Sequence, residues 1–494
     1  MSARSDYGEL PMHTTLMEPK DWARREFGQA DLGDRRRTQR LMQVATSLCR
    51  GSHGTLPGSF GDWSELKAAY RLLEQPDVRY EGILAPHVAR VGRECREPGE
   101  YLLMEDTTEL DFTSHEAARD LGRIGDDGGR GLWLHSTLAT RIEGWNEWHE
   151  PQVTVLGLAA QPCWARTTPT RGRGKEKKHK RLERDRESGR WAASVETIGP
   201  PPPGTQWTYV ADRESDIYEV FIRCQEQQWD FIVRASQPRA LSQEDGSVFE
   251  AVASAPVLGR LSLELRSRPQ RIIRPNHKGQ RRRVRLAHPA RIVELEVRAC
   301  TVQLRGPWRP GGWLGSRTVN VVEAREVNPR EGDEPIHWVL LTTWPCQSLD
   351  QALRIVKAYS RRWLIEEYHK CLKTGTGIQD SQLSTARSIE VLLGILAVAA
   401  VRLLNRKLLA TTCPDGTVGP ADVGEEVLAI LEAQYGPPPG GWTHHSLLLG
   451  VAKLGGFPGR KGDGSPGWLI LWRGWDLLMA MVRGFELARK QRCG

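Results

Sequence analysis

Nowhere in the sequence do two cysteines form a C-x-x-C pair. The nine cysteines (Cys49, Cys95, Cys163, Cys224, Cys300, Cys346, Cys371, Cys413, Cys493) are scattered singly. A structural zinc site needs clustered Cys and His at ligand spacing, so none is expected. An odd count without a framework reads as reduced thiols rather than disulfides. No window supplies 18 uncharged apolar residues, and the best candidate, 391–401, covers about half a membrane span; no membrane partner is expected. A charged-then-apolar export pattern ending in small residues is missing, which makes a cytoplasmic location the expectation. No internal repeat is found, which speaks against solenoid and propeller architectures.

What is there is a chain of 494 residues, 39% hydrophobic and 26% charged, with 18 Trp. That is the composition of a globular protein long enough for two to four structural units. The net charge of +8 is unevenly placed: residues 171–190 carry ten Lys/Arg against four Asp/Glu, and residues 266–285 carry nine against none. These two stretches hold +15 between them, leaving −7 for the rest. Concentrated positive charge is what a polyanion-binding protein presents, although two solvated loops would look the same.

Along the chain, residues 18–90 read as short helices (22–27, 35–49, 63–73) between Gly/Pro/Ser-rich turns. Asp34 is placed to cap the second, with Arg36, Arg37 and Arg40 on its first turns. From residue 100 short apolar runs alternate with helical stretches, as in an α/β unit. Strands are predicted at 101–105, 134–141, 153–160, 207–211 and 231–234, and helices at 191–198 and 216–228. Residues 240–345 alternate apolar and polar residues without helical period, so an antiparallel β domain inserted into the α/β unit is expected. One long helix is predicted over 349–373 and another over 391–409, followed by a compact Trp-rich end.

Asp106 closely follows the apolar run 102–104, and Asp212 directly follows Tyr209-Val-Ala211. Open α/β sheets place their chemistry at the C-terminal ends of strands, yet either aspartate alone could be an ordinary cap. On the predicted helix, Tyr359, Arg362, Glu366, Lys370 and Lys373 are spaced 3, 4, 4 and 3. At about 100° per residue they fall within an arc of about 80°. A solvated face with Glu366–Lys370 pairing is the bland account of that stripe. A functional account exists too. Phosphodiester cleavage needs an activated water and a stabilised leaving oxygen, which two Mg²⁺ can supply. Mg²⁺ prefers oxygen ligands and keeps several waters, so three carboxylates suffice.

The pattern Tyr359-x-x-Arg362-x-x-x-Glu366-x-x-x-x-x-x-Lys373 resembles the Y-R-E-K signature of the DDE-type bacterial insertion-sequence transposases, in the group typified by the transposase of transposon five. Ala211-Asp-Arg-Glu-Ser-Asp-Ile-Tyr218 resembles that group's second-aspartate motif, and Glu105-Asp-Thr-Thr-Glu-Leu110 its first. The similarity extends through 32–40, Gly131-Leu-Trp-Leu-His135 and Lys453-Leu-Gly-Gly-Phe457, whereas 171–190 and 410–442 depart from the family pattern.

The resemblance implies an α/β fold with a ribonuclease-H-like core at 91–239 and 346–410 and an inserted β domain at 240–345. It also implies a helical transposon-end-binding domain at 1–90 and a helical dimerisation region at 411–494. Asp106, Asp212 and Glu366 would be the catalytic ligands of two Mg²⁺, with Mn²⁺ a plausible substitute. Tyr359, Arg362, Lys370, Lys373, Arg234 and the N-terminal arginines would contact DNA, and Trp338 would stack on a flipped base. The family nicks transposon ends, forms and opens hairpins there, and joins the ends to target DNA from a synaptic homodimer acting in trans. Two rivals stand beside this reading. One is a repurposed DNA-binding protein that has lost catalysis, against which the complete carboxylate set argues. The other is a nuclease with the same metal ligands, which those ligands alone cannot distinguish.

Overall fold

The computed structural model describes residues 17–50, 56–125, 128–166, 187–243, 245–265, 268–275, 281–288, 291–330, 335–460 and 463–492. Most of the first basic stretch, 171–186, lies outside the described residues.

The chain opens with five helices: α1 (Pro19–Phe27), α2 (Arg35–Arg50), α3 (Leu56–Ser59), α4 (Trp63–Leu73) and α5 (Tyr80–Glu94). Asp34 caps α2 as its residue type suggests, its Oδ1 accepting from Arg36 N at 2.8 Å. Asp62 does the same for α4 through Ser64 N at 3.2 Å.

The centre is a mixed sheet of β1 (Gly99–Asp111), β2 (Gly122–Ile124), β3 (Gly129–Trp145), β4 (Pro151–Ala160), β5 (Cys163–Trp164), β6 (Thr205–Ala211) and β7 (Asp230–Arg234), with α6 (Arg190–Ile198) and α7 (Tyr218–Glu226) in the connections. Across it the order is β4–β3–β1–β6–β7, antiparallel among the first three strands and parallel among the last three. β1 runs to Asp111 rather than ending near 105, because β3 pairs along its full length.

After α8 (Val248–Ser254) come β8 (Val257–Leu265), the ribbon of β9 (Arg268–Pro275) and β10 (Arg281–His288), then β11 (Arg291–Leu304). A two-stranded turn, β12 (Trp308–Arg309) with β13 (Gly312–Trp313), precedes β14 (Arg317–Glu326) and β15 (His337–Thr342). The pairing is antiparallel, as the alternation predicts. These strands do not stand apart as a separate sheet, however. β15 pairs with β7, and the order continues β15–β14–β11–β8, so the segment widens the central sheet to eleven strands. Local alternation cannot reveal this, since the β7–β15 partners are about a hundred residues apart.

The long helix predicted over 349–373 is broken. α9 (Leu349–Ser360) is started by a capping box between Ser348 and Gln351 and is followed by a tight turn, with Arg362 N on Tyr359 O at 3.0 Å and Ile365 N on Arg362 O at 3.1 Å. α10 (Trp363–Lys370) then runs into a wide π-helical turn at Cys371–Gly375. α11 (Ala386–Thr412) is long and apolar enough to cross a membrane, but most of it is buried inside the protein. α12 (Pro420–Val423), α13 (Glu425–Tyr435), α14 (His444–Leu454) and α15 (Trp468–Arg492) complete the chain and share a core of their own.

Strand alternation sorts the core into two layers. Leu102, Met104, Val210, Ile232 and Leu340 pack on one face beneath α10 and α11, whereas Leu103, Tyr209, Val233 and Leu341 pack on the other against α6 and α7.

Candidate active site

The register between β1 and β6 pairs Met104 with Val210 and Glu105 with Ala211. One step further along come Asp106, still within β1, and Asp212, which directly follows β6 in extended backbone. By the same alternation both lie on the face of Met104 and Val210, the face that α10 covers. Arg234 ends β7 and Trp338 lies near the start of β15, each two residues from a side chain of that layer, Ile232 and Leu340. The period of two therefore gathers Asp106, Asp212, Arg234 and Trp338 on one side of the sheet.

Each aspartate also makes the local bonds expected of its position. Asp106 Oδ1 accepts from Thr107 N at 2.8 Å, and Asp212 Oδ1 accepts from Glu214 N at 2.8 Å to cap a short turn. Burial pushes the Asp106 carboxyl up, but His369, the Thr107 amide and Arg362 outweigh it and hold it below its usual range.

From the helix side, Arg362 reaches Glu366 at 2.6 Å and lies near Tyr359, 5.8 Å from its ring centroid. Its charge acts on Asp106, and it feels both Glu366 and Asp212, so one guanidinium serves all three carboxylates. Its Nε is buried without a hydrogen-bond partner. Tyr359 is buried rather than exposed on a stripe, and Trp338 packs against it edge to face at 5.6 Å. Arg234 donates to the His337 carbonyl at 2.8 Å; burial lowers its pKa, and the adjacent Tyr359 opposes that effect.

The tight turn and the π turn regroup the polar stripe. Lys370, four residues after Glu366, turns away: its ammonium pairs with Glu367 at 3.0 Å and sits 4.1 Å from the Trp363 ring centroid. In its place His369 faces the sheet, with Nδ1 3.7 Å from Asp106 Oδ2. Lys373 lines a polar cleft of about 470 Å³ with Thr107, Glu109, Asp111, Glu214 and Gln379. Burial lowers its pKa against the pull of Glu109, Asp106 and Asp111.

Two residues absent from the sequence-derived set therefore stand at the site. His369 was legible, since 362, 366, 369 and 373 span only about 60° of an ideal helix. Glu214 was signalled by its place two residues after Asp212. Burial raises its pKa, and Asp212 adds to the rise while Arg190 opposes it.

The N-terminal arginines lie in a different setting. Arg37 is spent on structure, donating to the Leu32 carbonyl at 2.9 Å and to Asp77 at 3.0 Å. Arg36 projects into solvent with 91% of its side chain exposed, and Arg40 is half-buried.

The carboxylates of Asp106 and Asp212 offer oxygen donors, which suit a hard divalent cation. Among the described residues no three His, Cys, Asp or Glu side chains are gathered closely enough to share one ion. Glu366, the third carboxylate, is turned to Arg362.

Two family models match the chain: transposase DNA-binding over residues 19–78, and transposase DDE domain over residues 191–402. The first takes in α1 to α4. The second takes in Asp212, Arg234, Trp338, Arg362, Glu366 and Lys373, while Asp106 lies ahead of it.

Proposed function

We propose that this chain, a DNA transposase by its DNA-binding segment and its DDE domain, works by cut-and-paste: it cuts at transposon ends and joins them to target DNA. The observation that carries this is the β1–β6 register that sets Asp106 beside Asp212, which directly follows β6, under a helix whose Arg362 charge acts on both aspartates. The order β4–β3–β1–β6–β7 supports a ribonuclease-H-like reading of the core, and the Y-R-E-K spacing supports kinship with the insertion-sequence group.

Asp106, Asp212 and Glu366 would hold two Mg²⁺, or Mn²⁺ in their place, and the bound metal would supply water activation and stabilisation of the leaving oxygen. Arg362 meanwhile keeps the three carboxylates from repelling one another. When a phosphate arrives, the buried Nε of Arg362 is a donor with no other partner, so the arginine can turn to the phosphate and release Glu366 toward the aspartates. Lys373 and Arg234 flank the same face as further phosphate contacts. Trp338, standing beside Tyr359 at the edge of the site, is the side chain placed to take a base unstacked during hairpin formation. The synaptic species would be a homodimer on two transposon ends.

A nuclease built on the same carboxylates would hydrolyse DNA and stop there. The test is strand transfer: linear DNA bearing pre-cut transposon ends is incubated with the protein, Mg²⁺ and a supercoiled target. Covalently joined product is expected, whereas cleavage of uncut ends without any joining of pre-cut ends would favour the nuclease.

A further inference from the structure

We infer that His369 is a positioning residue for Asp106, presenting its Nδ1–H to the carboxylate from a hydrogen-bond chain that fixes the imidazole's tautomer. The inference rests on the proposed reading of Asp106 as a metal ligand.

The chain can be read from its far end. Tyr80, at the start of α5, directs its hydroxyl at the carbonyl and the Oε1 of Gln161, both at 2.8 Å. With its oxygen so engaged, the Gln161 amide offers its two protons to Ser136 Oγ at 2.8 Å and to the Tyr368 hydroxyl at 2.7 Å. Ser136 thus accepts from Gln161 and has one proton left to give. His369 Nε2 lies 3.0 Å from Ser136 Oγ and is the acceptor of that proton. An imidazole that accepts at Nε2 carries its own proton at Nδ1, and Nδ1 is the atom that faces Asp106 Oδ2 at 3.7 Å.

Tyr80, Ser136, Gln161, Tyr368 and His369 are all buried, so water does not compete for these bonds. The other Asp106 oxygen is already bound by Thr107 N, so Oδ2 is the oxygen that His369 Nδ1 faces, at 3.7 Å. Groups standing behind metal ligands typically alter metal affinity about 10- to 100-fold when removed.

The test uses two amides that divide the ring's functions. In His369→Asn the amide nitrogen falls near the position of Nδ1 and keeps the donor to Asp106. In His369→Gln it falls near Nε2 and keeps contact with Ser136 but not with Asp106. Mn²⁺ binding to the DNA-free protein is read by electron paramagnetic resonance, beside thermal melting of each variant.

The inference expects His369→Asn to bind Mn²⁺ within about threefold of the unaltered protein, and His369→Gln about 10- to 100-fold more weakly, with similar melting temperatures. Ser136→Ala, which frees the tautomer without touching the ring, should fall between them. Equal weakening in both amide variants, or none in either, overturns the inference. Asp106→Ala is the control. If it loses Mn²⁺ while His369→Gln does not, the role of His369 fails alone; if it binds Mn²⁺ normally, the metal reading of Asp106 fails and this inference with it.

Discussion

At the scale of single residues, Trp338 is where the proposed hairpin-forming transposition and simple nicking predict different outcomes. Folding a strand end into a hairpin requires a base to leave its stack, and an aromatic substitute is worth about 1 to 3 kcal/mol per base. Trp338 is half-buried, in contact with Tyr359 and packed beside the layer that carries Asp106. Trp338→Ala is therefore expected to make the first nick but to accumulate nicked DNA, with hairpin formation slowed about tenfold to a hundredfold. A residue that served only as packing would behave differently, since its loss would lower thermal stability and reduce every step alike. Gel resolution of nicked and hairpin products, beside a melting curve, distinguishes the two outcomes.

At the scale of elements, the join between α1 and α5 ties the DNA-binding segment to the sheet. Gly157 of β4 admits the His87 ring, because a Cβ there would come within 2.6 Å of Nε2. That Nε2 accepts from Leu158 N at 3.0 Å, so the proton of His87 lies on Nδ1 and is given to Glu26 at 2.6 Å. Burial holds His87 below its usual pKa, and the charge opposite Glu26 is supplied by Arg90 at 3.1 Å. Burial pushes the Glu26 carboxyl up, but His87, Arg90 and Arg25 outweigh it and bring it down to about 2.

A carboxyl depressed on folding stabilises the protein above its unfolded pKa of about 4.5, and that stability drains away as pH falls toward 2. Glu26→Gln should therefore cost about 3 kcal/mol at pH 7. At pH 3 the cost should shrink to about half. Denaturant titrations at the two pH values check this; a cost that does not change with pH would mean that Glu26 acts by packing alone.

The same scale shows what was readable in advance. The five strands of the α/β unit and the cap Asp34 follow from local rules, because period two and capping chemistry act over a few residues. The partnership of Asp106 with Asp212 rested on motif resemblance, and its geometry depends on the β1–β6 register. What was not readable depended on contacts distant in sequence. The pairing of β15 with β7 merges the expected inserted sheet into the core sheet. The turn at 361–362 and the π turn at Cys371–Gly375 break the helix expected over 349–373. An ideal helix of 3.6 residues per turn has no means of showing such breaks.

At the scale of the whole molecule, charge separates two tasks. On the proposed reading the three carboxylates serve the chemical step, while the densest run of cations lies apart from them in sequence. Residues 266–285 hold nine Lys/Arg and no acid, and the described part of this stretch forms the β9–β10 ribbon, a sheet separate from the core. Neutralising Arg281, Arg282 and Arg283 of β10 together is expected to flatten the dependence of DNA affinity on salt. The slope of log K against log salt should fall by roughly 0.9 for each phosphate that the protein no longer neutralises. A slope identical to that of the unaltered protein would place the ribbon away from DNA.

The most direct measurement takes Asp106→Ala, Asp212→Ala and Glu366→Ala one at a time, with binding to transposon-end DNA and its cleavage in Mg²⁺ followed in the same samples. Each variant should bind the end DNA about as tightly as the unaltered protein, because phosphate contacts carry most of the affinity, and each should yield no cleavage product. Near-normal cutting by any one of the three would contradict the assignment of that carboxylate to the catalytic site.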